Sequence, residues 1–183
     1  MATAAARLEQ TESGLKPTTE GWFVVNVGET AWAVHDAFGS GCTFEGRDAQ
    51  FKQLGINISV VEPGQPLCLY HEESAQEDFL VLSGECVLLV NGEERPLRAW
   101  DFFHCPPGTE HVIVGAGDGL AIVLAVGARS DDEHISYPRS ELAEGYGASA
   151  VETTTDPQEA YTRAGHDRPR HERPSYWDAL PWA

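Results

Sequence analysis

Residues 63–84 read PGQPLCLYHEESAQEDFLVLSG. The last third is an apolar strand, FLVLSG, and just ahead of it stand His71, Glu72, Glu73 and Glu77. Side chains alternate faces along an extended chain, so residues two or four apart share a face. His71, Glu73 and Glu77 therefore fall on the face continued by Phe79 and Val81, provided the chain stays extended or rejoins in phase through residues 74–76. Glu72 falls with Leu80 and Leu82 on the other. Carboxylates and an imidazole turned toward apolar neighbours need a compensating charge, and a bound cation is the simplest one. A bulge at residues 72–74 would exchange Glu72 for Glu73.

A second stretch, DFFHCPPGTEHVIVG at residues 101–115, repeats the arrangement. Its Pro-Pro-Gly run predicts a turn, and His111 opens the apolar strand that follows. Two segments that each deliver ionisable groups to the mouth of a strand suit a metal site in a small barrel.

The first segment resembles the first cupin motif: Gly64 precedes His71, Glu73 stands where a second His is usual, and Gly84 follows Glu77 at the family's spacing. The second segment resembles the second cupin motif through Pro106, Gly108 and His111, with Gly115 where Asn is frequent and Trp100 where Gly usually begins the motif. The resemblance covers residues 55–128. It implies an all-β double-stranded β-helix, a jelly roll, with one divalent metal ion (Fe, Mn, Zn or Ni) held by His71, Glu73, Glu77 and His111. It also implies pairing of two chains, and Leu80, Leu82, Leu88 and Val90 read as an outward apolar set that a homodimer would cover.

Composition limits what else the chain can do. With 183 residues and a formal charge of −17, it lacks the basic footprint that nucleic acid or an anionic membrane requires. No apolar run is long enough for a bilayer, and the first residues, MATAAARLEQTESG, carry no secretory apolar region. Cys42, Cys68, Cys86 and Cys105 are scattered, which fits reduced thiols and a cytoplasmic location.

Along the chain, residues 1–20 read as a loosely attached polar arm, residues 21–128 as the barrel, and residues 129–183 as a partly helical extension packing on the barrel or a partner. Strands are predicted at residues 21–27, 31–35, 56–61, 78–82, 85–90, 93–97, 101–105, 111–114 and 120–126, with hairpin turns at Ser83-Gly84 and Asn91-Gly92. Residues 38–42 read as a Gly-rich loop or edge. Ser140 reads as the N-cap of a short helix. The tail keeps Tyr176, Trp177, Leu180 and Trp182, too many large apolar groups for a free end, and reads as a strap.

Two functional readings follow. The first is a metal-dependent enzyme that binds a small polar molecule at the ion and carries out oxygenase, isomerase or lyase chemistry; no separate catalytic residue stands out. The second is a non-catalytic small-molecule-binding or sensor protein with a structural metal. His104 reads as half-buried, and His35, His134, His166 and His171 as surface residues.

Overall fold

The computed structural model describes residues 4–183, so residues 1–3 of the expected arm lie outside it. Its strands, in chain order, are β1 (Leu8–Thr11), β2 (Gly14–Pro17), β3 (Trp32–His35), β4 (Gly39–Thr43), β5 (Leu54–Val61), β6 (Glu72–Glu73), β7 (Glu77–Ser83), β8 (Glu85–Val90), β9 (Glu93–Arg98), β10 (Phe102–Cys105), β11 (His111–Ala116), β12 (Ala121–Ala128) and β13 (Ile135–Ser136). Two short helices, α1 (Glu141–Glu144) and α2 (Pro157–Arg163), and a 3-10 turn at Trp177–Ala179 follow. A six-stranded antiparallel sheet runs β10-β7-β12-β5-β4-β3, and a three-stranded one runs β11-β8-β9. This is the all-β jelly-roll arrangement.

The two sheets share a core. Val61, Phe79, Val81 and Val123 from the larger sheet meet Cys86, Leu88 and Ile113 from the smaller. The opposite faces are buried as well. Ile58, Val60 and Ile122 pack with Trp32 and Leu180, and Leu89, Val112 and Val114 pack with Tyr70, Ala143 and Ala148. Burial on both faces explains why β11 and β12 read as continuous apolar runs rather than alternating ones. The covering groups come largely from the C-terminal extension. Trp182 stacks on Trp32 at 5.4 Å, Trp177 meets the same ring edge-on at 5.5 Å, and the Tyr176 hydroxyl lies 2.8 Å from Ser40 Oγ. The strap thus lies on its own barrel.

Several expectations change. Ser83-Gly84 is not a hairpin: β7 pairs with β10 and β12, whereas β8 pairs with β9 and β11, so the chain crosses between sheets there. Gly84 has φ 78°, and a Cβ on it would lie 2.4 Å from the Leu120 carbonyl oxygen. The crossing also resets the parity: Leu88 and Val90 face the inner core and Leu82 lies under the strap. Leu88 is thus buried within the chain, and Leu82 and Val90 partly so, which takes them out of the expected outward set. Residues 21–27 form no strand, since β-propensity without a pairing edge does not suffice, and Val24 is 86% exposed. Residues 38–42, read as loop or edge, fall mostly in the interior strand β4.

The arm is a β1–β2 hairpin rather than a loose segment. Backbone bonds hold it: Leu15 N–H donates to Glu29 O at 2.7 Å, and Trp32 N–H to Ser13 O at 3.1 Å. Such anchoring leaves no trace in hydropathy. The Asn91-Gly92 hairpin forms as expected, both residues having positive φ. Ser140 caps α1 by accepting from Ala143 N–H. Helix α2 was not foreseen, although Asp156 caps it and Pro157 opens it. Among the described residues no helix is long and apolar enough to cross a membrane, and all four cysteines are free thiols.

Trp100 adopts φ 75° at the third position of the turn 98–101, closed by Asp101 N–H donating to Arg98 O at 3.0 Å. That position favours glycine, and the indole is 73% exposed. Trp100→Gly is expected to raise unfolding free energy by about 1 kcal/mol in chemical denaturation. Leu180→Ala, which empties the seat under the strap, is expected to lower it by about 2–4 kcal/mol in the same measurement.

Candidate metal centre

His71 and His111 face each other across an isolated antiparallel bridge. His71 N–H donates to His111 O at 3.1 Å, and His111 N–H returns the bond to His71 O at 2.8 Å. Opposed residues in such a bridge put their side chains on the same face, and the two rings lie 4.7 Å apart. Each ring is then pinned by the carbonyl two residues earlier: His71 Nδ1 lies 2.8 Å from Leu69 O, and His111 Nδ1 lies 3.0 Å from Thr109 O. A carbonyl only accepts, so Nδ1 carries the proton and Nε2 turns a lone pair inward. A thiol sits beside each pinned nitrogen, Cys68 Sγ at 3.6 Å and Cys105 Sγ at 3.3 Å.

Glu77 opens β7, paired with Cys105 on one side and Gly127 on the other. Its Oε2 lies 3.2 Å from His111 Nε2 and 3.6 Å from His71 Nε2. Despite that proximity, Glu77 Oε2 and His111 Nε2 are both buried without a hydrogen-bond partner. Two lone-pair atoms facing one another in an apolar wall need a proton or a cation between them. The donor atoms of His71, Glu77 and His111 lie within 4.8 Å of one another. This N,N,O set fits a divalent transition-metal ion.

Glu73 stands to one side of this trio. Its Oε1 is 3.7 Å from His71 Nε2, and it is held by β6 pairing with β13, Glu73 opposite Ile135. Glu72 lies away from the trio, beside Gly108. The two inward carboxyls are pushed in opposite directions. Burial and the Glu77 charge raise Glu73. Burial would raise Glu77 too, but the His111 and His71 imidazoles hold it down at about 2. Burial would lower His71, yet the Cys68 sulfur and Glu77 raise it well above the usual value. With no cation, therefore, Glu77 is the ionised member and Glu73 the one that takes a proton.

The four side chains form one wall of a cavity of about 460 Å³, which Leu67, Phe79, Ala125, Asn57, Ser59 and two tyrosines help to enclose. Those tyrosines, Tyr137 just after β13 and Tyr161 in α2, come from the extension and were not foreseen. No spacing rule ties them to residues 71–77, since the pairing of Ile135 with Glu73 joins distant segments. Burial pushes the Tyr137 phenol well up, and the nearby Cys68, Glu73 and Glu77 add to that. His104 is bonded to Asp78 at 2.7 Å on the exposed side of β10. His134 and His171 are exposed as expected. His35 and His166, expected at the surface, are half-buried around Phe38, with ring centroids 4.7 and 4.5 Å from it.

A pinned imidazole pair and a buried carboxylate inside a jelly roll form a candidate metal site of the kind the two motifs suggest. Residues 57–127 match the family model described as the cupin domain, so this part of the chain is a cupin domain. No curated protein matches it. Among solved structures it is similar to a sugar phosphate isomerase of the cupin superfamily from Silicibacter pomeroyi, with 24% identity over 65% of this chain and 83% of that one and a TM-score of 0.56. A predicted oxalate decarboxylase from Thermotoga maritima is 21% identical over 59% of this chain and 100% of that one, with a TM-score of 0.50. A candidate sugar phosphate isomerase from Acidithiobacillus ferrooxidans is 28% identical over 46% of this chain, with a TM-score of 0.44, and the match spans 55% of that protein's length. At Gly115, where the family often carries Asn, a Cβ would lie 2.3 Å from the Glu62 carbonyl oxygen, so this chain's backbone there requires glycine.

Replacing His111 by Ala is expected to abolish stoichiometric metal, measured by inductively coupled plasma mass spectrometry on untagged protein. Glu72→Ala is expected to keep the wild-type metal content.

Proposed function

We propose that this cupin-domain protein binds one divalent metal ion through His71, Glu77 and His111, with Glu73 as a more loosely held fourth ligand, and acts as an enzyme on a small polar molecule bound at that ion. The observation that carries this reading is the buried, partnerless pair of His111 Nε2 and Glu77 Oε2. The cavity of about 460 Å³ beside it favours a working site over a sealed structural one. Nitrogen and oxygen donors suit Fe(II), Mn(II), Zn(II) or Ni(II).

Such an ion, when bound, supplies Lewis acidity for isomerase or lyase chemistry, or a site for oxygen if it is iron. The chain's own residues do the rest. The carbonyls of Leu69 and Thr109 keep both imidazoles in the ligating tautomer. Glu77, ionised, offsets the ion's charge. Glu73, set back from the trio and with its proton affinity raised, can hold or release a proton at Oε1 beside a bound molecule. Phe79, Leu67 and Ala125 give the cavity an apolar lining beside the site. The names of the fold neighbours span an isomerase and a decarboxylase, and at their identities they speak to the fold alone.

The test is a turnover screen of metal-loaded protein on small hydroxy acids, diketones and sugar phosphates, followed by NMR and by an oxygen electrode. Activity is expected to vanish on chelation and return with metal. Glu73→Gln is expected to retain most of the metal and lose about 100-fold in turnover, whereas Glu77→Gln loses the metal itself. A protein that holds metal tightly yet turns over nothing in this screen would favour the binding or sensor reading.

A further inference from the structure

Tyr137 enters the cavity by a route separate from the two motifs. It follows β13, whose pairing with β6 sets Ile135 opposite Glu73 and Ser136 opposite Glu72. A second clamp fixes its backbone: Tyr137 N–H donates to Thr154 O at 2.8 Å, and Thr154 N–H donates back to Tyr137 O at 3.2 Å. The extension is thus tied on both sides of this residue, and the ring cannot drift from the wall. The side chain is 5% exposed, with its ring centroid 5.9 Å from that of His71 and 5.8 Å from that of Tyr161.

The two cavity tyrosines are differently committed. The Tyr161 hydroxyl accepts from Leu69 N–H at 3.3 Å, on the segment that pins His71, so it is used in holding the wall. Among the described residues the Tyr137 hydroxyl makes no hydrogen bond, although it shares the cavity with the His71, Glu73, Glu77 and His111 side chains. A buried phenol is protonated at neutral pH and is a donor first. The ring is buried but its hydroxyl opens onto the cavity, where a bound molecule can supply the acceptor.

We propose that the Tyr137 hydroxyl is a ligand-positioning group that donates a hydrogen bond to an oxygen atom of the small oxygen-donor molecule held at the His71, Glu77 and His111 site. The inference rests on the proposed metal site and adds the ligand chemistry. The ligand presents at least two oxygens, one toward the ion and one toward the phenol, as carboxylates, hydroxy acids and keto acids do. Ligand choice then lies partly with the extension, not the barrel alone.

The experiment uses the full chain loaded with Co(II), titrated with oxalate as a small dicarboxylate probe and followed by the visible cobalt bands. Tyr137→Phe is expected to bind the same amount of cobalt and to weaken oxalate by about five- to tenfold, as loss of one hydrogen bond implies. Tyr146→Phe, at a phenol bonded to Glu94 away from the cavity, is the control and is expected to leave oxalate affinity unchanged. Equal oxalate affinity in wild type and Tyr137→Phe would overturn the proposal, as would a cobalt-loaded wild type whose bands oxalate does not move. Loss of cobalt from Tyr137→Phe would assign the residue to holding up the wall and likewise overturn it. A wild type that takes up no cobalt would instead sink the metal site itself, and this inference with it.

Discussion

The candidate site depends on one short piece of backbone, the reciprocal bridge between His71 and His111. Neither residue lies in a long shared ladder; His71 belongs to no named strand. The bridge nonetheless sets both imidazoles on one face, and the carbonyls of Leu69 and Thr109 lock their tautomers by the same two-residue reach. Once both Nε2 atoms point inward, Glu77 has no neutral way to be buried beside them. Its burial is tolerable because the imidazoles, or a cation between the three groups, offset its charge. The bridge, the pins and the carboxylate form a single arrangement in which removing any member leaves another polar atom stranded.

The second constraint is that both sheets are apolar on both faces. A jelly roll with bare outer faces would expose Ile58, Val60 and Ile122 on one side and Leu89, Val112 and Val114 on the other. The C-terminal extension supplies the cover, and in doing so it also lends Tyr137 and Tyr161 to the cavity. Packing and site construction therefore use the same segment. A change in how the extension packs is felt at the candidate site, because β13 is paired with the strand that carries Glu73.

Legibility in the sequence followed the range of the interactions. The alternation around residues 71–81, the Asn91-Gly92 turn and the Ser140 cap are local, and each was readable from a few neighbouring residues. The convergence of His71, Glu77 and His111 came from two motif spacings, which carry geometry that no single residue does. What escaped was set by distant backbone: the crossing at Gly84, whose Ser-Gly pair imitates a hairpin, and the arm, held by main-chain bonds that leave no hydrophobic signature. The parity rule was sound within each strand and failed for Leu88 because the chain changes sheets between β7 and β8. Tyr137 has no local signal at all; its place depends on a pairing with residues more than sixty positions earlier.

The strap has a further consequence, for the order in which the molecule can be completed. Tyr176 bonds to Ser40 across 136 positions of chain, and the same tail seats itself over Trp32. During synthesis the early strands must wait, with the indole of Trp32 and the outer face of β5 uncovered, until the tail has left the ribosome. Contacts of such long separation close slowly, and apolar surface left open meanwhile invites wrong partners. The nascent chain thus has a window of vulnerability that the finished protein does not show, and its length is set by how late those aromatics are made.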